Sequence, residues 1–346
     1  MAEVRVRKAE RGDMGRLLTL MQESAPVLHE EVHPSITEQV LETSSWDRPV
    51  FQAFLAEEVD KSGSVMDTVG YALSHNLYST WEGISSALRH IYVAPTHRRR
   101  GIASRLWRAV VKESLEKDCI RCDCYIPKHN TDAIAFCLKD GRMMDITQKE
   151  GWRLFRMDEG KMKTFIQSVK HDISRARIRP AKREDFTAVL KLIQDLADYE
   201  EMPEGPIIDA KKLAYHALDQ DSPVFECWVA EDIDKCGKND NTSSGTLVGY
   251  TIFIPILSCE GRAVYMEDLY VSPSQRNCGI GQALWATAIQ TGLRDGAVRC
   301  EWETLDSNHS GIRFYKSKGS INMTEERGIH HFRMFHDQMR KFVQKS

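Results

Sequence analysis

One long unit is written twice in this chain, and no other feature constrains the fold as strongly. HRRRGIA at 97–103 returns as QRNCGIG at 275–281, and VGY at 69–71 returns at 248–250. AEEVDKSG (56–63) returns as AEDIDKCG (230–237), an offset of 174. Arg7 pairs with Arg179 at an offset of 172; Gly101 with Gly279, Asn130 with Asn308 and Phe136 with Phe314 pair at 178. The order of matches is kept, and the drift is what small loop insertions produce. The largest insertion is the polar stretch GKNDNTSSGT (237–246), which reads as a hairpin loop.

The 346 residues therefore divide into two domains, expected at 1–172 and 173–346. Hydrophobic residues at 42% and charged residues at 28% describe a soluble globular chain. Nothing in a net charge of −3 suggests a dedicated nucleic-acid binder. RRR at 98–100 is too short for a nuclear-import or nucleic-acid patch. The start, MAEVRVRKAE, has no apolar core of a signal peptide, and no apolar run is long enough for a membrane span. Nine cysteines, an odd number, read as free thiols in a reducing, cytoplasmic setting. CIRCDC (119–124) has no second paired cluster and reads as a strand, so no metal is expected.

Each unit follows one plan. A short strand (VRVR; RIRP) precedes an amphipathic helix carrying Leu17, Leu20 and Met21, or Val189, Leu192, Ile193 and Leu196, at helical spacing. Two hairpin strands follow, FQAFLAEE and TVGYALSHNLY in the first unit. A fourth strand, RHIYV or EDLYV, then runs into Pro95 or Pro273 and the glycine loop. The next helix carries Ile280, Leu284, Trp285, Ala288 and Ile289 on one face and is expected to stop near Gly292 and Gly296. A strand, a short helix (GIRFYKSKG) and a last strand complete the unit; 158–175 adds a helix and leads into the second copy. This mixture predicts an α/β class, each unit a mixed sheet flanked by helices.

The glycine loop is the chemical centre of the pattern. Gly279 and Gly281 allow a tight turn and a close ligand approach. The helix starting there directs unpaired N–H groups and its positive dipole end into the turn, an anion site suited to pyrophosphate, and Arg276 adds a charged donor.

VSPSQRNCGIG and VAPTHRRRGIA resemble the acetyl-coenzyme A loop, Q/R-x-x-G-x-G/A, of the GNAT N-acetyltransferase superfamily. RPAKREDF, LIQDLADYEEM, CWVAE, YMEDLYV, RNCGIG and NHSGIRFYKSKG together resemble its spermidine/spermine and thialysine acetyltransferase branch. In the first half, YSTWEG (78–83) and EGWRLF (150–155) resemble the same branch. The resemblance covers nearly the whole chain. It implies two tandem GNAT domains, each with a mixed, mostly antiparallel sheet in which two neighbouring strands splay to admit acetyl-CoA.

Acetyl transfer needs particular groups. A primary amine, with a pKa near ~10, must lose a proton before it attacks a thioester. A carboxylate accepts that proton, an acid protonates the departing thiolate, and donors hold the oxyanion. The resemblance assigns the base to Glu267 and the acid to Tyr315. It gives Leu269, Tyr270 and Val271 to the acyl and pantetheine part. Arg276, Asn277, Cys278, Gly279, Ile280, Gly281 and Gln282 hold the pyrophosphate, and Asn308 positions the coenzyme. Tyr199, Glu200 and Asp268 are the substrate-side candidates.

Two departures count against a polyamine acceptor: a tryptophan of the family's substrate wall falls at Cys259, and an acidic substrate residue falls at Arg327. Thialysine or another small amine therefore stays open beside the polyamines.

The first half keeps the frame and loses the chemistry. Arg89 stands for Glu267, His90 for Asp268 and Cys137 for Tyr315, while Trp81 and Glu150 match substrate-side positions. Its loop, with Val93, Arg98, Arg99, Arg100, Gly101, Ile102 and Ala103, is expected to hold acetyl-CoA in a catalytically degenerate domain. His90, near neutral pKa, is the other candidate base.

The expected activity is transfer of acetyl from acetyl-CoA to a small-molecule amine. A lysine or protein N-terminal acetyltransferase, or a coenzyme A binding regulator, are the alternatives. Since enzymes of the resembling branch are homodimers, the two halves are expected to pack as an intramolecular pseudo-dimer, with homodimerisation also open. Neither nucleic acid nor membrane is an expected partner.

Overall fold

The computed structural model describes residues 3–28, 31–169, 175–202, 204–233 and 246–344. The polar stretch at 237–245 and the boundary expected at 172/173 lie outside them. The first half contributes strands β1 (Glu3–Lys8), β2 (Gln52–Val59), β3 (Val65–Ser79), β4 (Gly83–Val93), β5 (Arg121–Pro127), β6 (Met144–Asp145) and β7 (Trp152–Asp158). The second contributes β8 (Ala176–Pro180), β9 (Glu226–Asp232), β10 (Leu247–Ser258), β11 (Gly261–Val271), β12 (Ala297–Leu305), β13 (Ile321–Asn322) and β14 (Ile329–Phe335). Helices pack on both sheets, as the alternating pattern requires.

The last strands change places. One sheet runs β1-β2-β3-β4-β5-β14-β6, the other β13-β7-β12-β11-β10-β9-β8. β14 pairs antiparallel with β5 from Ile329↔Pro127 to Phe335↔Arg121. β7 pairs antiparallel with β12 from Arg299↔Asp158 to Leu305↔Trp152. The helices after these strands follow them: Met339 and Phe342 of His336–Gln344 join Phe332 and Met334 in the first-half core. Met162 and Phe165 of Glu159–Ser168 join Phe155 and Met157 in the second-half core. Burying each such side chain contributes roughly 1.5–3 kcal/mol, so the exchange is held by two apolar clusters as well as two ladders.

A second crossing lies at the hairpin tips. Leu77 and Tyr78 of β3 are buried in the second-half core, and Leu257 and Cys259 in the first-half core. The tips are tied reciprocally: Ile207 N donates to Trp81 O at 2.8 Å, and His33 N donates to Cys259 O at 2.8 Å.

The loop helices run Ile102–Glu116 and Ile280–Arg294. The second ends at Arg294, between Gly292 and Gly296, near the stop the sequence suggested, and Gly292 lies inside its last turn. A Cβ there would come 2.0 Å from Val264 Cγ2, so this glycine serves close packing of helix on strand. Among the described residues, no helix is long and apolar enough to cross a membrane.

Candidate functional site

β11 and β12 pair in parallel only from Arg262↔Ala297 to Met266↔Trp302. Beyond that point they diverge, and among the described residues no strand pairs with Glu267 to Val271 on the side of β11 away from β10. The β10–β11 register steps from Phe253↔Met266 to Ile252↔Asp268, so Glu267 is a bulge residue at the mouth of the splay. A bulge re-aims side chains, and this one brings two consecutive carboxylates into one pocket. β4 and β5 repeat the design: pairing ends at Leu88↔Cys124, and Arg89 is the bulged residue.

A cavity of about 270 Å³ opens where β11 and β12 part. Glu200, Glu267, Asp268, Glu303, Thr304 and Tyr315 of the second half line it. Trp81, Glu82, Arg121, Glu150 and Trp152 of the first half line it too, with Arg333 of the exchanged β14. The substrate-side positions that the sequence placed in the first half thus stand opposite Glu267. Cys259 and Arg327 lie elsewhere: Cys259 Sγ is 3.6 Å from His90 Nε2, and Arg327 Nη1 is 3.8 Å from Glu260. The objection they raised to a polycation does not apply to the pocket containing Glu267.

The electrostatics follow from burial and like charges. Burial pushes the Glu267 carboxyl well above the usual carboxylate range, and Asp268 adds to the rise. Asp268 is pushed up to about 6 by burial, although Tyr250 Oη donates to its Oδ2 at 2.8 Å. Glu200 is pushed up to about 8, by burial and then by the Asp268 charge. Tyr315 is raised by burial, so its hydroxyl keeps its proton at neutral pH. Its ring packs 4.8 Å from Trp302 and 5.2 Å from Trp285.

Glu303, which no sequence motif singled out, accepts from Tyr125 Oη (3.1 Å) and Tyr265 Oη (3.4 Å) and meets His331 Nδ1 at 2.9 Å. Burial lowers the His331 pKa, but the Glu303 and Asp123 charges outweigh it and raise it overall. The two arginines of the lining are engaged: Arg121 Nε donates to Asp123 (3.1 Å), Arg121 Nη1 to Glu82 (2.8 Å), and Arg333 Nε to Asp123 (2.9 Å).

A groove of about 300 Å³ adjoins the pocket, lined by Leu269, Tyr270, Val271, Arg276, Asn277, Gly279, Gly281, Gln282, Asn308 and Tyr315. Gly279 has φ 85°, which a side chain resists, and a Cβ on it would meet nothing within 4 Å. The cradle is therefore open to a phosphate at the helix N-terminus, as the pyrophosphate of acetyl-CoA requires. Arg276 Nε donates to Val271 O at 2.9 Å, and its guanidinium lies 4.8 Å from the Tyr199 ring centre. Tyr199 also bonds Ser310 Oγ at 2.8 Å. Tyr199, expected beside the substrate, is thus placed on the groove, while its neighbour Glu200 faces the pocket. Asn308 caps the helix His309–Ser317 by accepting from Gly311 N. Leu196, Leu269, Asn308 and Tyr315 line both cavities, so pocket and groove meet at Tyr315.

In the first half the loop is copied and the acidic bulge is not. Gly101 has φ 76° and Arg99 φ 62°, against 85° at Gly279 and 63° at Asn277. Arg98 Nε donates to Val93 O at 3.0 Å, as Arg276 does to Val271. Where Glu267 would stand, Arg89 lies 3.2 Å from Glu301 and 3.9 Å from Glu260. Arg156 joins the same two carboxylates, and Arg299 joins Glu301 while donating to the backbone carbonyl of Glu260. Cys137 is buried with its Sγ 3.9 Å from Cys124 Sγ.

The acetyltransferase (GNAT) family model matches residues 17–141 and 190–319. A thialysine N-epsilon-acetyltransferase of Sus scrofa is 33% identical over 169 residues, 49% of this chain and 97% of that protein. A spermidine/spermine N(1)-acetyltransferase-like protein 1 of Homo sapiens is 26% identical over 163 residues, 47% of this chain and 23% of that protein. Among solved structures, a tandem GNAT protein from the clavulanic acid biosynthesis pathway is similar in fold, with a TM-score of 0.53 at 13% identity over 96% of this chain and 98% of that one. With the family matched in both halves and the splayed sheet repeated in each, the chain belongs to the GNAT acetyltransferases as a tandem, acetyl-CoA dependent N-acetyltransferase.

Proposed function

We propose that the second half carries out the transfer, to a primary amine of a small acceptor that bears a further positive charge. The meeting of pocket and groove at Tyr315 carries this reading: an acceptor nitrogen entering past Glu267 reaches the groove beside a buried hydroxyl that keeps its proton. Acetyl-CoA supplies the thioester. Glu267, with Asp268 beside it, takes the amine proton directly or through water, and Tyr315 gives a proton to the departing thiolate. Leu269, Tyr270 and Val271 offer backbone groups along the unpaired β11 edge. Arg276 and the turn 277–282 hold the pyrophosphate, with Asn308 at the junction.

The acceptor class follows from charge. Among the described residues six carboxylates line the pocket (Glu82, Glu150, Glu200, Glu267, Asp268 and Glu303), and the two arginines there are turned to Asp123 and Glu82. A cation entering this space favours the ionised forms of Glu200, Glu267 and Asp268, so binding the acceptor helps to create the base. Polyamines and thialysine carry such a second charge, in keeping with the names of the similar proteins. Acetylation of spermidine, thialysine, free lysine and a lysine peptide by the intact chain tests this. Small diamino acceptors are expected to react and the peptide to react poorly; preference for the peptide would reverse the reading.

The repeated loop geometry favours a second reading for the first half, that Arg98–Ala103 with Val93 holds a coenzyme A without turning it over. Titration of the intact chain with acetyl-CoA separates one bound equivalent from two.

A further inference from the structure

Thr304 stands on β12, two residues beyond Trp302, where the ladder to β11 ends. It lines the pocket with Glu267 and Tyr315 and is 4% exposed. Among the described residues its Oγ1 is buried with no hydrogen-bond partner. A buried hydroxyl in that state destabilises the fold, and a valine of the same shape would not. The position therefore carries a cost that packing alone does not explain.

The repeat supplies an internal control. The 178 offset that pairs Asn130 with Asn308 places Ile126 opposite Thr304. The half with Arg89 and Cys137 has an apolar side chain there; the half with Glu267 and Tyr315 has a hydroxyl. The buried indole N–H groups of Trp107 and Trp285, each set against a buried thiol (Cys122 and Cys300), recur at the same offset in both halves and so belong to the shared architecture. Thr304 tracks the chemistry instead.

We propose that Thr304 orients the acceptor: its hydroxyl accepts a hydrogen bond from an N–H of the amine and directs the nitrogen lone pair at the thioester. A neutral hydroxyl suits this task better than another carboxylate. It takes an N–H from ammonium or free amine, whereas a carboxylate would hold the ammonium form and oppose loss of its proton. The inference rests on the second half being the acetyl-transfer site.

Thr304→Val, Thr304→Ala and Thr304→Ser in the full chain test it. Valine and alanine are expected to lower kcat/KM for the acceptor about tenfold or more, with the KM for acetyl-CoA unchanged. Serine, which restores the hydroxyl, is expected to stay within about threefold of the parent chain. The valine variant is expected to melt higher, because an unpaired buried hydroxyl is gone; a purely structural threonine would move the melting point down. Unchanged kcat/KM in the valine and alanine variants would overturn the proposal while leaving the acetyl-transfer reading intact. So would a loss confined to the KM for acetyl-CoA. A parent chain that acetylates no amine would overturn both.

Discussion

The carbonyl of Trp81 accepts a hydrogen bond from the amide of Ile207, 2.8 Å away, and so fixes a first-half hairpin tip over the second-half site. Gly205 shows how close the two halves come: a Cβ there would lie 3.1 Å from the indole. The first half thus forms one wall of the pocket containing Glu267. Trp81→Ala is expected to raise the acceptor KM about tenfold, the scale on which an aromatic face holds a cation in a desolvated site. Arg327→Ala, in the charge cluster around Glu260, is expected to leave it unchanged. Steady-state kinetics of the two variants decide between them.

Glu267→Gln and Tyr315→Phe are each expected to cut kcat by about 10²-fold or more, the usual contribution of a positioned base or acid. Tyr315→Phe keeps the ring against Trp302 and Trp285, so its melting temperature should stay near that of the parent. Turnover equal to the parent in both would remove these residues from the mechanism.

Asp268→Asn should move the acid limb of the kcat/KM profile to lower pH. After burial, the Asp268 charge is the next cause of the raised Glu267 pKa. Removing a neighbouring negative charge favours ionised Glu267, so its pKa falls and the base forms at lower pH. The other charges facing Glu267, from Arg121, Glu303 and Arg333, are unaltered by the substitution. A limb displaced upward would contradict this electrostatic account.

The charge cluster around Arg89 should make the fold labile to acid. Burial pushes the Glu260 and Glu301 carboxyls up, but their arginines outweigh it, holding Glu260 at about 2 and Glu301 well below the usual range. Both folded pKa values lie below the unfolded ones, so their stabilisation is present above pH 4.5 and lost as pH falls toward 2. For Glu260 that is about 3 kcal/mol by linkage. Glu301→Gln leaves Arg89, Arg156 and Arg299 with one fewer buried carboxylate and should cost about 3–5 kcal/mol. Urea unfolding between pH 3 and pH 7 measures both.

Much of the site was legible in the chain. The bulge pair Glu267–Asp268, the loop 276–282 and Tyr315 each lie in short segments with their own local signal. Comparing the halves added Arg89 and Cys137 as departures, and the same comparison at 125–126 against 303–304 would have drawn attention to Glu303 and Thr304. Tyr199 and Glu200 were read together, yet the helix end turns one to the groove and the other to the pocket. Adjacent residues at a helix terminus diverge in direction, and nothing in their spelling says which way.

Sequence by itself determined two copies of one α/β unit, a glycine turn before a helix in each, and the Glu267 and Tyr315 positions in only one. Tertiary structure alone decided which copies share a site. Trp152–Asp158 and Ile329–Phe335 are both last strands, and each could pair with the β5 or β12 edge through the same backbone hydrogen bonds and the same apolar alternation. A repeated pattern specifies that a last strand joins that edge, but leaves open whose. The crossed strands and hairpin tips settle it, and with it the supply of Trp81, Glu150 and Trp152 to the pocket of Glu267.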